Sequence, residues 1–480
     1  MKLYRFIVWL LKVFSHLYFI EVRSSGRERV PESGPVIIAA NHPSSILDAI
    51  LLATRIRRPI HYLARSGLFR NRFLAALLWA LGAIPVYRPG ESEDHGQRNE
   101  AVFRKVFELF ERGGCLGLFP EGRNSPMGQV GELRTGGARL ALGAEARNNW
   151  QLGLTIVPVG LNFENRELFM SAVLLRFGTP IRVADFEAIY REDPEEAVRQ
   201  LTARLQESLR RQAMHVEDEQ VQQLGQDLSE ALGYRLMPAS ASSDSGSSEE
   251  GRSPSRLKRW IWKLLDWYRP DAAEVLEPFA ARVQNHEQVT DILTKAAHRD
   301  PDAFAALRKQ VDRYQDHLRQ TELSQTTRRS LDEPVRERLI RSRMTIYALA
   351  MAPVAVFGLV HNLVPYLFTM FSARIARDEA IRTFAYFGVG FLAFLLTYGG
   401  FGFWLWYSAG MGWEWVLVYM ALLPPTGFAA LGYRRNILEY RDKILVRTFF
   451  WNEDELVQLL RRERQAVIER FEELAVKYGY

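Results

Sequence analysis

The stretch Asn41-His42-Pro43-Ser44-Ser45-Ile46-Leu47-Asp48 directly follows an apolar run, Val36-Ile37-Ile38-Ala39-Ala40. An imidazole presented at a strand's end, with a carboxylate a few residues on, is a ready-made general base. On one continuous helix the step from His42 to Asp48 rotates through about 600°, so the two side chains would not share a face. The pair therefore requires His42 in a loop, with a helix beginning near Ser44 and Asp48 in its second turn. Pro43 and Ser44 suit such a start. His42 would then take the proton from an attacking hydroxyl, while Asp48 orients the ring and stabilises the imidazolium. The sequence holds no Gly-x-Ser-x-Gly elbow, so Ser44 and Ser45 are weak candidates for a covalent nucleophile. The nine histidines and one cysteine show no metal-ligand spacing. Neither a metal nor a cofactor is expected.

Three further segments carry cations or free backbone N–H groups. Gly82-Ala83-Ile84-Pro85-Val86-Tyr87-Arg88 ends a strand with a guanidinium, which matches a phosphate bidentately. Phe119-Pro120-Glu121-Gly122-Arg123 ends the next strand. There Gly122 allows close backbone approach to a ligand, Arg123 adds charge, and Glu121 can fix a hydroxyl or an arginine. Arg134-Thr135-Gly136-Gly137 then opens a helix, whose first N–H groups are a further anion site. Singly each is weak. Together, beside a histidine base, they point to an anionic substrate of the phosphate-ester kind.

The elements that must position these residues occupy 23–215, where short apolar strands alternate with helical stretches. Leu116–Phe119 and Leu154–Val159 are continuous apolar runs, as strands buried on both faces require. Val102, Phe103, Val106, Phe107 and Phe110 form a helical stripe closed by Gly113 and Gly114. The expected architecture is an α/β domain with a largely parallel or mixed sheet. The one cysteine, Cys115, lies inside an apolar strand and reads as a buried core thiol. A lone cysteine rules out a disulfide framework and suits a cytosolic face.

At 480 residues the chain exceeds one compact core. In residues 1–22, Leu3, Phe6, Ile7, Leu10, Leu11, Phe14, Leu17 and Tyr18 recur at helical spacing, with Arg5, Lys12 and His16 on another face. That suits an amphipathic helix in a membrane interface, with a core-packed helix as the alternative. Lys12 interrupts the apolar run, which argues against a signal peptide. Residues 216–255 are a helix followed by a Ser-rich linker from Pro238 to Ser255. The segment 256–340 begins with Trp260, Leu264 and Trp267 among basic residues, suiting lipid headgroups or a packed helix equally, and continues as polar helices.

Residues 341–435 are the membrane region, with 436–480 a charged C-terminal helix. Thr383–Gly410 carries no charge and is long enough to span, and Trp413–Tyr433 is a second span. Pro353, His361-Asn362 and Pro365 interrupt 344–371. Basic clusters precede that stretch (Arg338, Arg341, Arg343), follow it (Arg374, Arg377, Arg382) and follow the last span (Arg434, Arg435). A re-entrant 344–371 would put every cluster on the cytoplasmic side, which makes two spans plus a re-entrant hairpin the favoured reading. The formal charge of +6 sits in short runs beside apolar segments, a pattern for an anionic membrane surface and not for nucleic acid.

In their order, Asn41-His42…Asp48, Gly82…Pro85-Val86-Tyr87-Arg88, Phe119-Pro120-Glu121-Gly122 and Val157-Pro158-Val159-Gly160 resemble the four blocks of the glycerolipid acyltransferase family. This family includes the glycerol-3-phosphate and 1-acylglycerol-3-phosphate acyltransferases. The resemblance covers roughly residues 20–215. It implies an acyltransferase-type mixed sheet flanked by helices, with a membrane-docking N-terminal helix, followed here by a C-terminal α-helical membrane domain as in the long family forms. It also implies direct acyl transfer from acyl-CoA or acyl carrier protein to glycerol-3-phosphate or lysophosphatidate, with His42 and Asp48 catalytic. Arg88, Glu121, Gly122 and Arg123 would hold the phosphate, and Pro158 and Val159 would help shape the acyl-donor site. The implied setting is phospholipid synthesis in an integral membrane protein whose catalytic domain faces the cytoplasm.

Two departures from the family pattern stand out. Five residues separate His42 from Asp48 where four are usual, and long fungal-type glycerol-3-phosphate acyltransferases resemble this chain in the extra residue. Arg123 follows Gly122 at once, and Asn124 takes the usual arginine's place. Both lean towards glycerol-3-phosphate as acceptor. The competing readings are an acyltransferase for another lysophospholipid or amphipathic alcohol, and a non-enzymatic lipid-binding membrane protein. The intact His42 and Asp48 argue against the second.

Overall fold

In a computed structural model of the protein, the residues described are 2–19, 21–44, 46–70, 72–87, 95–124, 129–164, 171–213, 215–216, 218–232, 279–320, 337–375, 389–450 and 454–479. Arg88, Ser45 and the tryptophan-rich segment 256–269 lie outside them. The chain forms two compact units, residues 1–217 and 218–480.

The first unit is built on an eight-stranded sheet. In chain order the strands are β1 (Glu21–Ser25), β2 (Val36–Ala40), β3 (Ile60–Arg65), β4 (Ile84–Val86), β5 (Cys115–Leu118), β6 (Thr155–Phe163), β7 (Ala172–Phe177) and β8 (Ile181–Arg182). Their spatial order is β1-β7-β6-β2-β5-β3-β4, with β8 also on β6. The block from β6 to β4 is parallel, and β7 runs antiparallel to β6 with β1 parallel to β7. The sheet is therefore mixed. Every residue of β2 and β5 is buried, which is why both read as unbroken apolar runs. Burial pushes the Cys115 thiol up to about 12, so it sits in the core as a protonated, inert group.

Helices fill the crossovers. They are α1 (Lys2–Tyr18), α2 (Ile46–Arg55), α3 (Arg72–Ala80), α4 (His95–Glu111), α5 (Gly136–Arg147), α6 (Glu187–Glu192) and α7 (Pro194–Gln212). The last is set by its ends. Asp193 caps it by accepting from the backbone N–H of Glu195 and Glu196 at 2.9 and 3.1 Å, Pro194 opens it, and Arg210 and Arg211 sit at its negative end. Buried Val198, Leu201, Leu205 and Leu209 face the sheet.

The C-terminus of α7 presses on β6 at Gly160, where a Cβ would overlap the Gln212 carbonyl. Gly160→Ala is expected to cost about 1–3 kcal/mol through overpacking against rigid backbone. Thermal melting checks it, and an unshifted transition would mean that α7 simply slides away.

The N-terminal helix α1 packs along α2 and is latched to β3, the Tyr4 hydroxyl accepting from Ile60 N–H at 3.0 Å. Its other side leaves Leu3, Phe6 and Trp9 roughly 60% exposed, with Leu10 and Val13 beside them in sequence step. One face of α1 thus packs on protein, and the other presents an apolar stripe.

In the second unit, α8 (Glu219–Leu232), α9 (Phe279–Arg299), α10 (Pro301–Gln320) and the final helix α14 (Asp454–Lys477) pack together. Their buried residues include Leu224, Leu228, Ile292, Leu293, Leu307, Val311, Tyr314, Leu460, Val467 and Phe471. His317 pairs with Glu463 at 2.8 Å, and Lys477 with Asp300 at 2.5 Å. The C-terminal helix is therefore a partner of 279–320, and its charges cover only one side of it.

Between α10 and α14 lie α11 (Glu337–Ile375), α12 (Gly390–Tyr407) and α13 (Trp413–Phe450). Ile346–Ser372 and Trp413–Arg434 are long and apolar enough to cross a membrane. The expected re-entrant turn in 344–371 is absent, because α11 runs unbroken through Pro353 and Pro365. His361 and Asn362, read as interruptions, are satisfied inside the helix group. The imidazole donates to the Phe357 carbonyl at 2.8 Å and meets the Tyr419 hydroxyl at 2.5 Å. The Asn362 amide donates to the Gly358 carbonyl at 2.7 Å and accepts from the Tyr398 hydroxyl at 2.5 Å. Polar side chains with partners on neighbouring helices need not break an apolar span.

Ala348 meets Tyr433, Gly358 meets Thr426, and Asn362 meets Leu423, so α11 and α13 run antiparallel. Set in a bilayer, this hairpin puts residues 341 and 441 on one face and the start of α13, at Trp413, on the other. Cysteines placed at 341 and 441 should react with an impermeant maleimide from the same side, and a residue-411 cysteine only from the opposite side. Labelling of 341 and 441 from opposite sides would reject the hairpin.

Candidate active site

The site forms where the adjacent parallel strands β2 and β5 end together, beside β6, which runs on to Phe163. Their carboxyl ends open the crevice in which α/β sheets place ligands. His42 is the second residue past β2, and Asp48 lies in the first turn of α2, which begins at Ile46, two residues later than the sequence suggested. The histidine is in the loop, as the rotation argument demanded. His42 Nδ1 donates to Asp48 Oδ2 at 2.9 Å, and the Ser44 backbone N–H donates to the same oxygen at 2.8 Å. The Asp48 side chain is fully buried, while the His42 ring keeps 19% of its surface open. A buried carboxylate fixes the ring and its tautomer, and Nε2 is left as the nitrogen that can meet a substrate proton.

Two neighbouring side chains hold the histidine's loop. Asn41 is buried and grips β6 with both ends of its amide: Oδ1 accepts from Leu161 N–H at 2.7 Å, and Nδ2 donates to the Leu161 carbonyl at 3.2 Å. Phe119, just past β5, stacks on the imidazole with centroids 3.9 Å apart and planes 13° from parallel. The sequence marked both residues as parts of blocks but gave no sign of these roles. An asparagine beside the histidine and an aromatic before Pro120 are the signals available.

Glu121, expected among the phosphate ligands, is buried and turned inward. Its carboxylate accepts from His42 N–H at 3.1 Å and from Gly131 N–H at 3.0 Å. Two of its acceptor sites are thus taken by backbone donors, and the carboxylate steadies the loop that carries His42. Gly122 does what its type requires, with φ at +69° and a missing Cβ that would lie 2.8 Å from Arg134 Nε. The Arg134 side chain thus lies over the Gly122 turn. Arg123 is exposed nearby in sequence. The start of α5 at Gly136 is open to solvent. Pro158 and Val159 are buried inside β6, Val159 opposite Ala40 and hence close under the His42 loop. The carbonyl of Pro158 accepts from Gly178 N–H at 2.8 Å, in the gap between β7 and β8. A proline is tolerated there because the neighbouring ladder is already broken.

Residues 21–162 match the family model described as Acyltransferase. Glycerol-3-phosphate O-acyltransferase 2 of Saccharomyces cerevisiae is 33% identical over 112 residues, which is 23% of this chain and 15% of that protein. The 1-acyl-sn-glycerol-3-phosphate acyltransferase of Bacillus subtilis is 28% identical over 191 residues, 38% of this chain and 85% of that protein. The matches with fungal proteins span well under half of those proteins' own length. Among solved structures, the 1-acyl-sn-glycerophosphate acyltransferase PlsC from Thermotoga maritima aligns at 18% identity and a TM-score of 0.32, covering 43% of this chain and 80% of that one.

Proposed function

We propose, from the premise that residues 21–162 form an acyltransferase-family domain, that this protein acylates a glycerol phosphate at a membrane surface. The acceptor is glycerol-3-phosphate or its 1-acyl product, and the donor is a thioester, acyl-CoA or acyl carrier protein. The observation that carries the reading is the His42 ring clamped at Nδ1 by buried Asp48, with its other face partly open.

In the reaction, His42 Nε2 removes the proton of an acceptor hydroxyl as its oxygen attacks the thioester carbonyl. The tetrahedral intermediate collapses with cleavage of the C–S bond. The imidazolium, stabilised by Asp48, returns its proton to the departing thiolate, so no acyl-enzyme forms. Arg123 and Arg134 are the cations beside the Gly122 turn, and Arg88 is assigned to the same phosphate on the strength of its block. Pro158 and Val159, paired with Ala39 and Ala40 of β2, are assigned to the floor of the acyl-donor site on the strength of their block. The exposed stripe of α1 and the hairpin of α11 and α13 suit an integral membrane protein drawing amphiphilic substrates from the bilayer. The catalytic domain is assigned to the cytoplasmic face.

Purified protein assayed with both acceptors crossed against both thioester donors tests the reading. Release of free thiol with formation of an acylated glycerol phosphate is the expected result. Thiol release that does not depend on either phosphorylated acceptor would overturn it. The Arg134→Ala variant should raise KM for the acceptor about tenfold with little change in kcat, as loss of one charged hydrogen bond predicts.

A further inference from the structure

The segment 129–134 has no regular secondary structure, yet it is among the more heavily anchored stretches near the site. Irregular backbone must find acceptors for its N–H groups outside a helix or ladder, and here four are supplied. Val130 N–H donates to His215 Nδ1 at 2.9 Å, Gly131 N–H to Glu121 Oε2 at 3.0 Å, Leu133 N–H to Gln206 Oε1 at 3.3 Å, and Arg134 N–H to the Pro120 carbonyl at 2.8 Å. Val130 and Leu133 are buried in the same core as α5 and α7. Two anchors, Pro120 and Glu121, belong to the block after β5 that also supports His42. The other two, Gln206 and His215, come from the far end of the domain, on α7 and just after it.

We infer that His215 is a positioning residue for the acceptor site, holding segment 129–134 as a strap that keeps the Arg134 guanidinium over the Gly122 turn. The inference rests on the reading of Arg134 as an acceptor-phosphate ligand. The imidazole accepts at Nδ1, so its proton sits on Nε2, and a side chain without an acceptor at that position cannot replace it. Gln206 alone would then hold the strap from the α7 side. The strap's outer half would slacken, and the guanidinium it carries would sample positions away from the phosphate. The histidine base is held separately, through Asp48, Asn41 and the inner half of the Glu121 bridge, and should be untouched.

The test uses the full-length protein. His215→Leu should raise KM for the phosphorylated acceptor at least fivefold, while kcat and KM for the thioester donor stay within twofold. His215→Asn, whose Oδ1 can occupy the Nδ1 position, should recover most of the loss. In the same variants without substrate, amide hydrogen exchange at Val130 and Gly131 should accelerate for His215→Leu and stay near wild type for His215→Asn, with the global melt unchanged. An unchanged acceptor KM in His215→Leu alongside faster exchange overturns the proposal, as does an equal loss in every kinetic parameter that asparagine fails to rescue. Unchanged exchange at Val130 overturns it too, whatever the kinetics. If the wild-type protein turns over neither acceptor, the proposed function fails instead, and the exchange data still report whether His215 holds the strap.

Discussion

Replacing His42 with alanine should lower acyl transfer by about a thousandfold to ten-thousandfold while leaving the protein folded and able to bind membranes. General-base catalysis by a positioned imidazole contributes roughly two to four orders of magnitude, and this ring lies at the high end for a structural reason. Its Nδ1 is pinned at 2.9 Å by a carboxylate with no solvent exposure, and its flat face rests on Phe119. Little reorganisation remains when the proton moves. No other histidine belongs to the described residues around this strand end, so nothing nearby replaces the base. Turnover of purified variant and wild type, with vesicle partitioning and circular dichroism as controls for folding, decides the matter. Retained turnover would remove His42 from the chemistry.

The second large effect is expected at Glu121, a residue that touches no reacting atom. Glu121→Leu keeps the volume and the burial but deletes both acceptors, leaving the His42 and Gly131 N–H groups without the carboxylate. A buried backbone donor stripped of its partner costs about 1–3 kcal/mol. Part of that cost is relieved by movement of the His42 loop, which is movement of the base. A displacement worth about 2.7 kcal/mol in the transition state corresponds to roughly a hundredfold in rate. The expected outcome is a fall of that size in kcat, with a lowered melting temperature. Glu121→Gln, which retains one acceptor oxygen, should fall between Leu and wild type. Equal kcat for all three would show that Asp48 and Asn41 suffice to place the histidine. A rise confined to acceptor KM would return Glu121 to the substrate.

Much of the fold could be read in advance because the signals were of the kind that burial produces. β2, β5 and β6 are apolar without alternation because parallel strands in a mixed sheet are covered on both faces. His42 could be placed in a loop by helix geometry alone, and the structure differs only in starting α2 two residues later. The misreadings share one cause: side-chain identity does not give direction. The block around Glu121 gives no sign that its oxygens turn onto the His42 and Gly131 backbone amides. A histidine-asparagine pair inside an apolar stretch looks like a break until Tyr398 and Tyr419 are found to satisfy it from other helices. The anchoring of segment 129–134 by Gln206 and His215 joins residues more than 70 positions apart and leaves no local trace. The same holds for α14, whose partner α10 is separated from it in sequence by α11, α12 and α13.

The antiparallel pairing of α11 with α13 and the packing of α10 on α14 point the same way: the helices before and after the hairpin meet at one end of it. In sequence, the first unit ends at residue 217, and α8 of that helix bundle begins at Glu219. If the proposed acyl transfer is confined to one face of a bilayer, every new amphiphile enters one leaflet. That leaflet would gain area while its partner did not, and the resulting curvature stress would grow with each turnover. Sustained synthesis would then depend on a separate route for lipid to equilibrate across the bilayer.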